Sequence, residues 1–512
     1  MTLFSTKPLG RLGAVAATTI VVLAAPVSAQ QSSPQPSQKQ LTCEIDNGTP
    51  QGIARATFSM ARAAEAAKTG NATKDLRDVI SLASNPANAK ANPVGSAYLL
   101  GQAYVLMLQQ PGVTGRETRS ALGLTTDPTG TIDLFAAIDS AWQVVEKTSP
   151  GCAAVAAQWR QQKPWLDVTN QAINALNAEK LDSAELYAKR SLLLSKSAPY
   201  GYSVLASVAR ARKDYATAKQ YWKQTLEAAG KDSGYADVRE RTLYDVAAAT
   251  TLRAQAATGA EKKTLAREAI AAWNALLASS RDDQAGTTAV QNLQKMYVAA
   301  GDSMSTPKIY AAMIAEPAKF GENTLMQAGI VASQFKRPDD AALLFAAVAG
   351  RNPYSRDALN NLAASYIFVG DYPKVFPIVD KLTALDPSNP DNWMLYAFSY
   401  AGLLKNTKQA ALTKKYTDSL TFYNAKAEKL GVRVAFTEFS RAADATTLRG
   451  TIENRAATPK SFTLVVDFLD RAGNVLFTET TNVGPIAAKS TKEFTIKTSK
   501  GGVSGFRYKP VV

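Results

Sequence analysis

Small residues recur in this 512-residue chain at a fixed step. Ala184 and Ala218 stand 34 residues apart, and Gly329, Ala363 and Ala397 form a run of three at the same interval. The residues around them favour helix, with apolar positions three and four apart, so each interval predicts two helices and a turn. A small residue at that point lets the two helices of a hairpin approach closely, while neighbouring Tyr, Leu and Phe fill the seam to the next hairpin. One hairpin alone would leave its apolar stripe in water. Three or more have to stack, and the chain grows one unit at a time.

The stretch from Arg356 to Pro387 carries Leu362 beside Ala363, then Tyr366, Gly370-Asp371-Tyr372 at a turn and Pro387 past the second helix. In these residues it resembles a tetratricopeptide (TPR) unit. Leu100-Gly101 with Tyr104, and Leu293, Tyr297 and Gly301-Asp302, repeat parts of the pattern. The expected fold is mostly α: a TPR-like α-solenoid of antiparallel helix hairpins, followed by a small C-terminal antiparallel β-sandwich.

Five regions follow. Residues 1–29 read as a signal peptide: Lys7 and Arg11 precede an apolar run from Leu12 to Ala25, and Val27-Ser28-Ala29 offers a small-residue cleavage site. Residues 30–42, rich in Gln, Ser and Pro, read as a disordered lead-in. Residues 43–164 hold degenerate N-terminal helical repeats with a Gly-, Thr- and Pro-dense insertion at 111–130, a length that is either functional or disordered. The regular array occupies 165–429. Residues 430–512 alternate apolar and polar residues between turns such as Asp470–Asn474 and Gly484-Pro485, which predicts a β-sandwich. Through Gly450-Thr451-Ile452-Glu453-Asn454, Phe468-Leu469-Asp470 and Gly473, that region resembles the FxLYD-type immunoglobulin-like domains of bacterial envelope proteins, lacking their Tyr between Leu469 and Asp470.

The leader predicts a periplasmic or secreted protein, cleaved after Ala29. No later stretch is apolar and long enough to span a bilayer, so no integral membrane segment is expected once the leader is gone. An oxidising compartment favours a disulfide between the two cysteines, Cys43 and Cys152, against the alternative of two buried thiols. The formal net charge is +15, which suits acidic proteins or anionic surfaces. Nucleic acid is not an expected partner for an exported chain. The denser basic run from Lys189 to Lys223 reads as a solvated helix face.

The chain contains no histidine. Ser-His-Asp and Cys-His nucleophiles and most zinc sites need an imidazole near neutrality, and neither a Walker loop nor a GxGxxG opening a helix is present. Ser305-Thr306-Pro307-Lys308 and Lys68-Thr69-Gly70 mimic the SxxK and KTG of penicillin-recognising enzymes, but in reversed order and without SDN. A helix N-cap at Ser305 with Pro307 in the first turn accounts for the former. The acid pairs Asp282-Asp283 and Asp339-Asp340 fall at helix starts, where carboxylates meet the helix dipole favourably. No enzyme activity, no cofactor and no metal are expected.

In a solenoid the first helix of each hairpin lines the concave surface, the usual ligand site. By register the inward positions include Tyr98, Gln102, Thr169, Asn177, Tyr200 and Arg210. Further along they include Gln291, Lys295, Met326, Gln334, Asn360, Phe368, Met394 and Phe398. Arg210 and Lys295 suit an acidic side chain or terminus, the amides suit a peptide backbone, and Met and aromatic residues suit apolar side chains. The Lys/Asn/Arg clamp of chaperone-binding TPR domains is not found at the matching positions. A non-enzymatic protein- or peptide-binding scaffold is the expected function, with the sandwich as a second contact module. The alternative is a glycan-binding or polysaccharide-export accessory that uses the sandwich and the basic surface, for which exposed aromatic rings on one sandwich face would be the mark.

Overall fold

The computed structural model describes residues 43–67, 71–280 and 282–511. The expected signal peptide, the lead-in and the Lys68-Thr69-Gly70 motif lie outside them. The chain divides into two compact units that meet between Thr242 and Leu243.

The first unit opens with α1 (Gln51–Ala67), α2 (Thr73–Ala83), the short α3 (Pro86–Ala91) and α4 (Pro93–Met107). Residues 111–130 are ordered. A two-stranded ladder of β1 (Arg116–Thr118) and β2 (Thr131–Asp133) closes the insertion, and Arg77 Nε donates to the Ala121 carbonyl at 2.7 Å. Ile132 therefore lies in a strand, and the second helix of this hairpin, α5 (Leu134–Thr148), starts just after it, capped by Asp133. After α6 (Ala153–Arg160) come α7 (Lys163–Asn177), α8 (Leu181–Leu194), α9 (Tyr200–Ala211) and α10 (Tyr215–Ala229). Arg160 donates to the carbonyls of Leu193 and Leu194 and pairs with Asp139 and Glu146, tying α5, α6 and α8 together. The Cys43 and Cys152 sulfurs lie at bonding distance, across a sequence separation of 109.

Helix α11 (Ala236–Ala256) contains the division between the units. The second unit continues through α12 (Gly259–Ser279) and α13 (Asp283–Ala300). The second helix expected after α13 is broken into 3-10 turns at Ser303–Ile309 and Pro317–Lys319 around the five-residue α14 (Ala311–Ala315). Pro307 and Pro317 lack the N–H a continuous helix needs there. Ser305 sits inside the first turn and does not cap a helix; the N-cap is Asp302. Regular hairpins resume with α15 (Glu322–Gln334) and α16 (Pro338–Arg351), α17 (Arg356–Val369) and α18 (Tyr372–Leu385), and α19 (Pro390–Asn406) and α20 (Ala410–Lys429).

Gly329 and Ala363 are buried where their helices meet a partner. A Cβ on Gly329 would stand 2.6 Å from the Phe345 ring of α16, and one on Gly101 of α4 would stand 2.7 Å from Trp142 of α5. The turn between the two helices of a hairpin takes a left-handed residue in both units: Glu179 and Lys213 in the first, Gly301, Lys336 and Gly370 in the second. Glycine enters this region without strain, whereas the side chains of the other three meet the following carbonyl. Each unit is thus a TPR-like stack of antiparallel hairpins.

The last six strands are antiparallel: β3 (Val432–Arg441), β4 (Thr446–Asn454), β5 (Lys460–Leu469), β6 (Val475–Ile486), β7 (Thr491–Thr498) and β8 (Gly505–Tyr508). They form two sheets, ordered β3-β4-β7 and β6-β5-β8. Leu448, Ile452, Leu464, Val466, Phe468 and Ile496 fill the space between the sheets. Residues on one face of each strand alternate inward, as a sandwich requires. Phe436, Phe439 and Phe477 also pack against this core. The sandwich's aromatic rings are spent on packing, so the glycan reading lacks the exposed aromatic face it called for.

Among the described residues no helix is long and apolar enough to cross a membrane.

Candidate functional site

The register positions differ between the two units. In the first, Tyr98 stands edge-on to Trp142 with ring centres 5.7 Å apart. Gln102 is 8% exposed and bonds the Tyr98 hydroxyl. Burial raises the Tyr98 pKa and that hydrogen bond opposes the rise. Thr169 is buried with its hydroxyl 2.7 Å from that of Ser191. Tyr200 lies between Trp165 and Tyr235, with ring centres 6.4 and 5.8 Å away. Burial first, then the Asp237 charge, pushes its hydroxyl up to about 12. Asn177 is exposed at the end of α7, and Arg210 is half-buried with no hydrogen-bond partner for its Nε.

In the second unit the positions are open to solvent to a greater degree. Met326, Asn360 and Met394 stand 34 apart at the same point of α15, α17 and α19, and Ile330, Ala364 and Phe398 follow one turn later. Gln334 and Phe368 come one turn later again. Residues four apart line one helix face, so each helix contributes a single row. Met326, Ile330, Asn360, Met394 and Phe398 are half-buried, Ala364 is buried, and Phe368 is 49% exposed. Beside them, Gln291 donates to Gln327 at 3.3 Å and Gln294 hydrogen-bonds Gln334, forming an amide border on α13 and α15. Lys295 is exposed on the same helix. The arrangement offers apolar contact area flanked by amides and a cation, suited to an extended or helical peptide.

Three of the four carboxylates in the acid pairs are used structurally. Asp282 caps α13 through the Ala285 N–H, and Asp283 accepts from the backbone N–H groups of Asn323 and Thr324 at the start of α15. Asp340 accepts from the Tyr310 hydroxyl at 3.3 Å. Among the described residues no group of three or more His, Cys, Asp or Glu side chains gathers as a metal site. Two shallow depressions are lined by residues of the first unit. One of about 440 Å³ is bordered by Lys180, Asp182 and Arg212, and one of about 530 Å³ by Arg55, Phe58 and Arg62. Sequence reasoning missed Asp386, which is buried at the end of α18.

No protein-family model matches the sequence, and no curated protein matches it. Solved structures match loosely. A tetratricopeptide repeat protein from Parabacteroides merdae ATCC 43184 is 14% identical over 52% of this chain and 93% of its own, with a TM-score of 0.25. Pseudomonas aeruginosa pilF is 12% identical over 52% and 91%, with a TM-score of 0.19. The TPR domain of P58(IPK) is 12% identical over 68% and 99%, with a TM-score of 0.20. Superposition at this level is too loose for any property of those proteins to be carried across.

Proposed function

We propose that the chain is a non-enzymatic scaffold that holds a protein or peptide on the first-helix face of its second unit. The observation behind this reading is the set of half-exposed apolar residues along the first helices of successive hairpins: Met326, Met394, Phe398 and the exposed Phe368. Asn360 supplies an amide among them for a peptide backbone. Lys295, with the basic balance of the chain, favours ligands that carry an acidic group near the apolar anchors. Selection of randomised displayed peptides on the purified chain is the test. Enrichment of peptides with apolar anchors is expected, with retention lost on Phe398→Ala and on Asn360→Ala. Peptides retained equally by both variants, or no enrichment at all, would sink the reading.

The workplace proposed is the periplasm or the exterior, reached through the leader at residues 1–29. The mature chain recovered from its own host should then begin at Gln30. An intact amino terminus on the recovered protein, or its recovery from the cytosol, would contradict export.

A further inference from the structure

Within the second unit the sandwich meets the hairpins through a buried polar lock. Tyr354, just ahead of α17, lies against two glycines of the sandwich: a Cβ on Gly505 would stand 2.4 Å from its Cγ, and one on Gly473 would stand 3.0 Å from its hydroxyl. Arg356, the first residue of α17, donates from Nη2 to the Leu385 carbonyl at 2.8 Å and to the Phe506 carbonyl of β8 at 3.0 Å. Its guanidinium carbon stands 3.9 Å from the Phe506 ring centre and 5.2 Å from that of Phe436. Asp386 is 4% exposed, with Oδ2 4.0 Å from Arg356 Nε. The Tyr508 hydroxyl donates to Asp386 Oδ1 and accepts from the Ser388 N–H at 3.1 Å. Nearer the rim, Arg433 of β3 pairs with Asp391 of α19 at 2.6 Å.

We propose that the sandwich is a fixed terminus of the array, a positioning device that sets α17 and α19 against each other, rather than a separately moving contact module. Three features carry this. The side chains involved come from the start of α17, the end of α18, the turn before α19 and strand β8, so one cluster holds both ends of the α18 hairpin segment. The two glycines admit Tyr354 only while they carry no side chain. The charged pair is out of water: burial lowers the Arg356 pKa and raises that of Asp386, each opposed by the charge of the other. A desolvated pair contributes geometry more than stability, because losing either partner leaves an uncompensated charge. The inference stands whether or not the helix face binds a peptide.

Hydrogen exchange on the full chain tests it, read at residues 386–391 and 505–508. The wild-type protein should protect both segments as strongly as β4. Arg356→Met and Gly505→Val, which break the lock by charge and by bulk, should each lower protection in both segments together by about tenfold or more, with β4 and β7 still protected. Should either variant unfold the whole unit, Tyr508→Phe, which deletes one hydroxyl, is read at the same two segments, with the same joint loss expected at smaller amplitude. Fast exchange of these segments in the wild type, or unchanged exchange at 386–391 in a folded variant, would overturn the proposal.

Discussion

The two units differ in degree at equivalent positions of their first helices. In the first, Tyr98 lies on Trp142, Gln102 is buried beneath it, and Tyr200 fills the space between Trp165 and Tyr235. In the second, Met326, Met394 and Phe398 are half-buried, as Tyr98 and Tyr200 are, but Gln291, Lys295 and Gln334 are exposed and Phe368 keeps 49% of its surface in water. Hairpin regularity explains the contrast. The insertion at 111–130 delays α5 and α6 interrupts the repeat, so large rings are drawn inward to reach interior packing density. From α15 onward the hairpins follow at the 34-residue step, small residues such as Gly329 close the contact, and side chains such as Met326 and Ile330 pack against the core with part of their surface still in water. A register position becomes a ligand candidate where packing leaves part of its surface in water.

The largest expected test of this contrast is redox. The Cys43–Cys152 link belongs to the first unit, and the chain has no other cysteine. On the chain-entropy model, Cys152→Ser should cost about 4–5 kcal/mol. In calorimetry, reductant should lower the transition of the first unit and leave the second in place. A shift of both, or of neither, breaks the comparison.

In the second unit, Ala363→Leu should overpack the α17–α18 contact at about 1–3 kcal/mol, and an unchanged denaturant midpoint would refute the assigned register. The hairpin turns are the feature the units share, so Lys336→Gly and Lys213→Gly should each stabilise by about 1 kcal/mol through relief of left-handed strain. A fall in midpoint for either would show that the side chain supplies something the turn needs.

A smaller effect is expected in the first unit at high pH. Burial holds the Tyr104 and Tyr200 hydroxyls up to about 12 in the folded state, whereas an unfolded tyrosine ionises near about 10. Their contribution is complete below the lower value and is lost as pH rises from about 10 to 12, because the unfolded chain gives up the proton first. Tyr200→Phe should flatten the decline of the first transition in that window; an identical slope would place Tyr200 in water. The smallest change is expected from Phe368→Ala, within about 0.5 kcal/mol of wild type in stability. A larger loss would move Phe368 from the open face into the core.

The hairpin array was legible because its signal is local: the 34-residue step, Leu362-Ala363 and Tyr366, and the helix-ending Pro387 depend on neighbours within a turn or two. The candidate rows were legible as a register, from Met326, Asn360 and Met394, but their exposure was not. Whether Tyr98 or Phe398 keeps contact with water depends on rings contributed by other helices. Two Pro residues broke the helix expected after α13, an effect the repeat spacing conceals. The Arg356–Asp386–Tyr508 lock left no trace, since Asp386 and Tyr508 are 122 residues apart and neither belongs to a periodic pattern. The order of the insertion likewise rests on a three-pair ladder and on Arg77, far back in the chain.

The central proposal is that a ligand is held on the first-helix face of the second unit and not on that of the first. Titration calorimetry of one selected peptide against paired variants tests it most directly. Phe398→Ala should weaken binding by about tenfold, the loss expected when an apolar anchor contact is removed, while Tyr98→Phe leaves the affinity unchanged. Equal affinity for Phe398→Ala and wild type, with weakening on Tyr98→Phe, would contradict the account.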